Sequence, residues 1–579
     1  MLQLAMFFYR SKENAFLFLT QGLLFSIFLC LGIVRFQTND DYGFFFISNG
    51  QSYGYPSDQL LFVGRIIGYL VSFLESNFPW MNWYPSLMAA STLFAISIFF
   101  KVCLNLNRKV SVNLYFWLSL IGFTFFGSLF LFRLQFTQTA LLCAAAGTFL
   151  FLNLHSKFDS LVAFLLLALG ISWRLEAGLL GTFLVFFVYF VVQGKSFLPV
   201  FLRKSPLVFL GLLVFAGCNV LLWNKFSFVL SNEERNYLNY DALRGQLHGT
   251  RYLESMNAGK FASTVGLSPN DWELFRNFYF ANKEVFSLET LRLLVSNSNS
   301  NGLLEKLSNL SGFFKDVLIA QFSIIAYSIL LSSTFFINTK VKQVLHFWIC
   351  IFIPVFFIYF IARMPSRVLL PILFVACFLF FILSRVNPQK IEMEDSLPIL
   401  SLKIEGKGKN KIVILKSSLT QIFLSLTILS VGGLILYDVS KQVFISNVVE
   451  GENLNSLRTY QSDKPIIAFP SFYSPIIHVS PFSNTKENLN IWSSIIPFGT
   501  TIGSPDFVQN LKDKGISQDL LGSILDGDAY LGVTSQSEVE LVKVYLKEHY
   551  RFDVGFVAIL KTNEDLFGRT FQILKIKTV

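Results

Sequence analysis

Two adjacent aspartates, Asp40 and Asp41 in the stretch NDDYGFF (39–45), stand just beyond the first long apolar run of the chain. A carboxylate so placed can take the proton of an attacking hydroxyl. The pair could also hold Mg²⁺ or Mn²⁺, although no third acid is placed to complete a cation site. Arginines recur at the ends of later apolar runs: Arg133, Arg174 with Glu176 close behind it, and Arg363 and Arg367 around Pro365. A guanidinium binds phosphate through two parallel hydrogen bonds and keeps its charge at any working pH. Plainer readings stand beside these. An Asp pair after a helix is often a solvated turn, Arg174 and Glu176 can neutralise each other across a tight hairpin, and Arg363 and Arg367 can snorkel to an interface. The phosphate role is preferred for the last two because Pro365 breaks the helix and frees backbone amides there. A further polar set, Arg244, His248 and Arg251 in LRGQLHGTRYLES, supplies supporting candidates, with His248 read first as structural.

The elements that must position these groups are apolar. The 579 residues are 53% hydrophobic and only 15% charged, with a mean hydropathy of +0.54, more apolar surface than one soluble core could bury. The apolar residues, 67 phenylalanines among them, gather in blocks of about 20, the length that crosses a bilayer as helix. Short alternating segments of a transmembrane barrel are not evident. The net charge of +10 is attributed to lysine-rich inner loops rather than to nucleic acid binding. Cys30, Cys103, Cys143, Cys218, Cys350 and Cys377 all fall inside apolar blocks, so neither disulfides nor a zinc site is implied. Residues 14–34 follow Arg10 and Lys12 without a cleavage signature and are expected to stay as an uncleaved first helix.

Apolar runs bounded by charges predict eleven crossings, near 14–34, 83–103, 111–132, 137–154, 160–173, 177–193, 206–224, 316–337, 343–361, 366–384 and 419–437. The run 60–74 carries Arg65 at its centre and is expected to be an interfacial or re-entrant helix. With it excluded, the lysine-rich turns share one side, the cytoplasm, which leaves 35–82, 225–315 and 438–579 outside. The expected fold is therefore an all-α polytopic membrane domain, 1–437 including both outer loops, followed by a small extracytoplasmic α/β domain, 438–579. In the tail, 465–469, 529–534, 552–560 and 571–577 read as strands. Residues 505–515, 518–526 and 537–550 read as helices, the last with a Ser535/Glu538 capping box. The aromatic helix that begins at Ser268-Pro269-Asn270-Asp271 is expected to lie on the membrane surface.

An acid pair facing arginines at a membrane surface matches sugar transfer from a lipid phosphate: a carboxylate deprotonates the acceptor hydroxyl, and cations stabilise the departing phosphate. NDDYGFF (39–45), 58–84, FRLQFTQTALL (132–142) and WRLEAGLL (173–180) resemble motifs of the GT-C superfamily of polytopic glycosyltransferases, over roughly residues 1–385. The resemblance implies a bacterial cytoplasmic-membrane enzyme that uses a polyprenyl-phosphate or polyprenyl-diphosphate sugar at the outer leaflet, with a cell-surface glycan or glycolipid as acceptor. It also implies that Asp40 and Asp41 are the acidic motif; the arginines are assigned on their chemistry alone. Two other classes remain in view: an outer-leaflet polysaccharide polymerase or ligase, which would not need the acid pair, and a flippase or transporter, which would hold charges or broken helices at mid-membrane. A membrane-anchored scaffold would leave the arginines unexplained.

Overall fold

The structure, a computed structural model, describes residues 12–107, 114–153, 156–193, 231–249, 253, 256–300, 322–333, 347–349, 351–353, 355–356, 365–385, 426, 429–434, 436–437, 440–441, 460–472, 480–482, 494–499, 501–562 and 570–578. In chain order the first part comprises α1 (Lys12–Cys30), β1 (Arg35–Phe36), α2 (Asn39–Ser48), α3 (Arg65–Asn77), α4 (Trp83–Asn107), α5 (Leu114–Phe132) and β2 (Arg133–Leu134). It continues with α6 (Phe136–Leu152), α7 (Lys157–Trp173) and α8 (Leu175–Gln193). Next come α9 (Asn232–Gly249), α10 (Met256–Thr264), α11 (Pro269–Arg276), α12 (Leu288–Ser300), α13 (Phe322–Ser333) and α14 (Ser366–Arg385). The tail holds β3 (Ile466–Ala468), β4 (Ile495–Pro497), α15 (Pro505–Asp513), α16 (Leu520–Leu525), β5 (Tyr530–Val533), α17 (Gln536–Tyr550), β6 (Val554–Lys561) and β7 (Gln572–Thr578).

At the centre of the apolar layer, α6 is buried on every face, between α4, α7, α8 and α14. Its run of Ala140, Ala144, Ala145, Ala146 and Gly147 removes the bulk that would hold its neighbours off. The neighbours answer in kind: a β-carbon on Gly170 of α7 would stand 2.7 Å from the Ala140 carbonyl oxygen, and one on Gly181 of α8 2.5 Å from that of Leu141. Among the described residues one helix, Trp83–Val102 within α4, is long and apolar enough to cross a membrane by length and composition. Shorter apolar helices accompany it, at Leu120–Phe132, Phe136–Leu152, Leu175–Phe190 and Ser366–Phe380 among others. Of the eleven expected crossings, 206–224 lies outside the described residues, and those at 111–132, 137–154, 316–337, 343–361 and 419–437 are described only in part.

The run 60–74 forms α3, which starts at Arg65, so this arginine opens the helix instead of occupying its centre. Its Nε donates to Asp58 at 2.9 Å, and Glu234 of α9 lies 3.5 Å away. Ile67, Gly68, Val71 and Glu75 face the protein, while Tyr69, Leu70 and Phe73 are exposed, an amphipathic division suited to an interface. Glu75 accepts from the backbone N–H of Trp83 at 2.7 Å and so caps the start of α4.

All four expected tail strands are present. They form a five-stranded sheet in the order β4-β3-β5-β7-β6, with β3 parallel to β4 and β5 and the β5–β7 and β7–β6 pairs antiparallel. The fifth strand, β4, is an addition, and the Ser535/Glu538 capping box opens α17 as expected. Strand alternation divides the sheet between two cores. Ile466, Ala468, Ile495, Tyr530 and Ile573 join the core of the apolar helices. Ile467, Phe469, Ile496, Leu531 and Leu574 join a second core built with α11, α12, α15 and α17. That second core corrects the expectation for the aromatic loop. Trp272, Phe275 and Tyr279 are buried in it rather than lying on a membrane, with the Tyr279 ring 4.9 Å from Phe498 and 5.4 Å from Tyr545. The loop 231–300 and the tail thus share one interior.

Candidate active site

The acid pair and three of the arginines are gathered at one end of the apolar layer by a two-stranded parallel ribbon. The chain leaves α1 into β1 and α5 into β2, and the two strands pair with Arg35 opposite Arg133 and Phe36 opposite Leu134. Arg35 turns back onto the end of α1, donating from Nη1 to the carbonyls of Gly32 and Val34, the second at 2.7 Å. A cation there satisfies the open carbonyls of a helix C-terminus, so Arg35 has a structural task.

After β1 the chain turns directly into α2, with Thr38 as N-cap and both aspartates in the first turn. They diverge. Asp41 is fully buried: Oδ2 accepts from Thr38 Oγ1 at 2.7 Å, and Oδ1 accepts from the Phe136 amide, the first of α6, at 3.1 Å. Burial pushes its carboxyl up to about 7, against the opposing pull of those two hydrogen bonds. Asp40 instead faces outward, its Oδ2 3.4 Å from Nη1 of Arg367 in the first turn of α14, each side chain 26% exposed. One carboxylate is thus bonded inside and the other turned to an arginine.

Arg174 lies between α7 and α8 in extended backbone. It donates from Nη1 to Thr137 Oγ1 at 2.9 Å, approaches Glu176 at 3.6 Å, and packs over the rings of Phe62 and Phe136 at 5.5 and 5.4 Å. Its charge is opposed chiefly by burial, favoured by Glu176 and Asp40, and opposed by Arg367, which places each of these three groups within electrostatic reach of Arg174. Glu176 itself is 79% exposed. Arg133 stands across the ribbon from Arg35, and burial likewise works against its charge.

Four helices begin here: α2, α6, α8 and α14. Their starts are tied together by the Asp41–Phe136, Arg174–Thr137 and Asp40–Arg367 contacts. A chain of side chains adds to these ties, Gln138 Nε2 donating to Gln37 Oε1 at 2.5 Å and Gln37 Nε2 to Ser366 Oγ at 3.4 Å. Helix N-termini carry unpaired amides and a positive dipole end, so their convergence with two guanidiniums favours an anion. Gln37, Gln138, Thr137 and Ser366 escaped the sequence reading. The repeated pattern Arg-Phe-Gln at 35–37 and Arg-Leu-Gln at 133–135, whose members prove to pair in register, is a signal for the ribbon.

The remaining candidates lie elsewhere. Arg244 is sealed in the loop body, donating from Nε to Asp241 at 2.8 Å and stacking over Phe280 at 5.3 Å. His248 is half-buried and packs face to face with Phe278 at 4.4 Å, a residue held at φ +64°. Arg251 and Arg363 fall outside the described residues.

No family model matches the chain, and no curated protein matches it. Two solved structures are similar to it, both of ArnT from Cupriavidus metallidurans. The apo state is 11% identical with a TM-score of 0.38, and the state bound to undecaprenyl phosphate is 9% identical with a TM-score of 0.33, each over 97% of both chains.

Proposed function

We propose that this chain is a multi-pass membrane glycosyltransferase of the GT-C kind. It moves a sugar from a polyprenyl-phosphate or polyprenyl-diphosphate carrier to a glycan or glycolipid acceptor at the extracytoplasmic face. The observation that carries the reading is the outward-facing Asp40 beside Arg367 and Arg174, where four helices begin. In the reaction, Asp40 takes the proton of the acceptor hydroxyl as its oxygen bonds to the anomeric carbon. The bond from that carbon to the phosphate oxygen breaks, and the electron pair leaves with the phosphate. Arg174, Arg367 and the amides of the helix starts hold the resulting charge. Asp41 works as a positioning residue, since its two hydrogen bonds fix the start of α2 against the start of α6. Lys101 and Lys157, at the far ends of α4 and α7 from the site, support an extracytoplasmic placement of the site and of the tail.

The test is sugar transfer from a labelled polyprenyl-phosphate sugar by the purified chain in lipid nanodiscs. Asp40→Asn keeps the shape and removes the base, so turnover should fall by about 10²–10⁴-fold with little change in donor binding. Wild-type turnover in a folded Asp40→Asn protein would remove Asp40 from the chemistry.

A further inference from the structure

The loop and the tail meet at a second polar cluster with no part in the site at Asp40. Asp271 sits in the capping box that opens α11: Ser268 Oγ accepts from its amide at 3.0 Å, and its Oδ2 accepts from the Ser268 amide at 2.9 Å. The other oxygen, Oδ1, lies 2.8 Å from Nε2 of His549 in the last turn of α17. Next to it, Glu548 accepts from Ser268 Oγ at 2.8 Å. One ligand atom from each of Asp271, Glu548 and His549 lies within 4.8 Å of the others, with Asp271 buried and the other two exposed. The imidazole is held in place by the Tyr545 ring, 4.3 Å away.

We propose that Asp271, Glu548 and His549 bind a divalent first-row transition metal ion, of which Zn²⁺ is the natural probe, and that the ion staples the loop to the tail. Two carboxylates share this spot, and among the described residues His549 is the one cationic side chain within ion-pair distance of either. With the imidazole neutral, a dication offsets both charges. The carbonyl end of α17 adds a potential that favours a cation. One nitrogen and two oxygens suit zinc, whereas calcium takes six to eight oxygens. Ligand atoms of a tetrahedral site stand closer together than 4.8 Å, so a small inward movement of the exposed Glu548 closes the set, and water completes the fourth position. His549 then exchanges its hydrogen bond to Asp271 for a metal bond through the Nε2 lone pair, with its proton on Nδ1. The ligands come from segments 278 residues apart, so the ion would tie together parts of the chain that share a core but no local connection.

The test uses the full chain in detergent, stripped with chelator and titrated with Zn²⁺ by calorimetry and thermal unfolding, and with Co²⁺ by visible absorption. Because Asp271 also caps α11, the exposed ligands carry the test, as His549→Gln, Glu548→Gln and the double variant. Wild type should take up an ion, rise in Tm and give the strong visible bands of four-coordinate Co²⁺. Each single variant should bind at least about tenfold more weakly, and the double variant should lose the Tm rise. Equal uptake by wild type and the double variant means an adventitious ion only and overturns the proposal, as does no uptake by wild type. Neither readout depends on sugar transfer, so the site at Asp40 and this one fail separately.

Discussion

The two ends of the apolar helix layer treat charge in opposite ways. About 25 Å along α4 from Tyr84, at 1.5 Å per residue, Lys101 meets Asp159 of α7 at 2.8 Å, their side chains 12% and 7% exposed. The aspartate sits where a helix dipole favours it, in the first turn of α7, where Ser156 Oγ accepts from its amide. That end is closed to solvent. At the other end Asp40 and Arg367 stand 3.4 Å apart, each 26% exposed, with Arg174 nearby and four helix starts around them. A tight, dry pair holds structure together; a long, half-open one can change partners. A substrate needs the second kind.

The largest effect expected from this contrast is at the closed end. Lys101→Ala takes away the ammonium 2.8 Å from the Asp159 carboxylate and should cost up to about 3–5 kcal/mol of stability, while Lys101→Met with Asp159→Leu should cost far less, since apolar replacement of a whole buried pair is often neutral. Thermal inactivation in detergent measures both. A single variant as stable as wild type would mean that Lys101 and Asp159 do not depend on each other.

At the open end the loss should fall on substrate instead of on the fold. Arg174→Ala and Arg367→Ala should weaken donor use by about 2–5 kcal/mol if the guanidinium holds a buried phosphate. The lysine variants should recover only part of it, because charge returns without the two-pronged fork. Donor titrations of the four proteins read this directly. Full activity of both lysine variants would reduce the arginines to interface anchors.

Much of this was legible in the chain because it depends on near neighbours. Runs such as FDVGFVAIL and the Ser535/Glu538 pair declare strands and a helix start locally, and the tail elements follow them. Ile495-Ile496-Pro497 is too short to declare itself, and becomes a strand only because β3 offers an edge. Aromatic residues at 272–279 look the same whether they face lipid or protein, and their partners Phe498 and Tyr545 lie more than two hundred residues away. Within the site, Asp40, Arg174 and Arg367 could be picked out by charge alone. The division of labour between Asp40 and Asp41 could not, since it depends on the Phe136 amide, which a parallel ribbon between distant segments brings to Asp41.

That division predicts a subtler effect, in pH dependence. Burial pushes the Asp41 carboxyl from its ordinary 3.8 up to about 7 in the folded chain. Between those values the folded protein holds a proton that the unfolded chain has released, so stability falls as pH rises through this window and levels off above about 7. Asp41→Asn keeps an oxygen to accept from Thr38 or the Phe136 amide and cannot titrate. Its thermal midpoint should therefore depend less on pH across the window than that of wild type, while Asp40→Asn should retain the wild-type slope. Burial raises Asp241 and Asp506 as well, and among the described residues Glu75 is also pushed up to about 7 by burial, held over the start of α4 by the Trp83 amide. Its glutamine variant completes the experiment: an unchanged slope in Asp41→Asn together with a flattened one in Glu75→Gln would move the titrating group from the aspartate pair to the cap of α4.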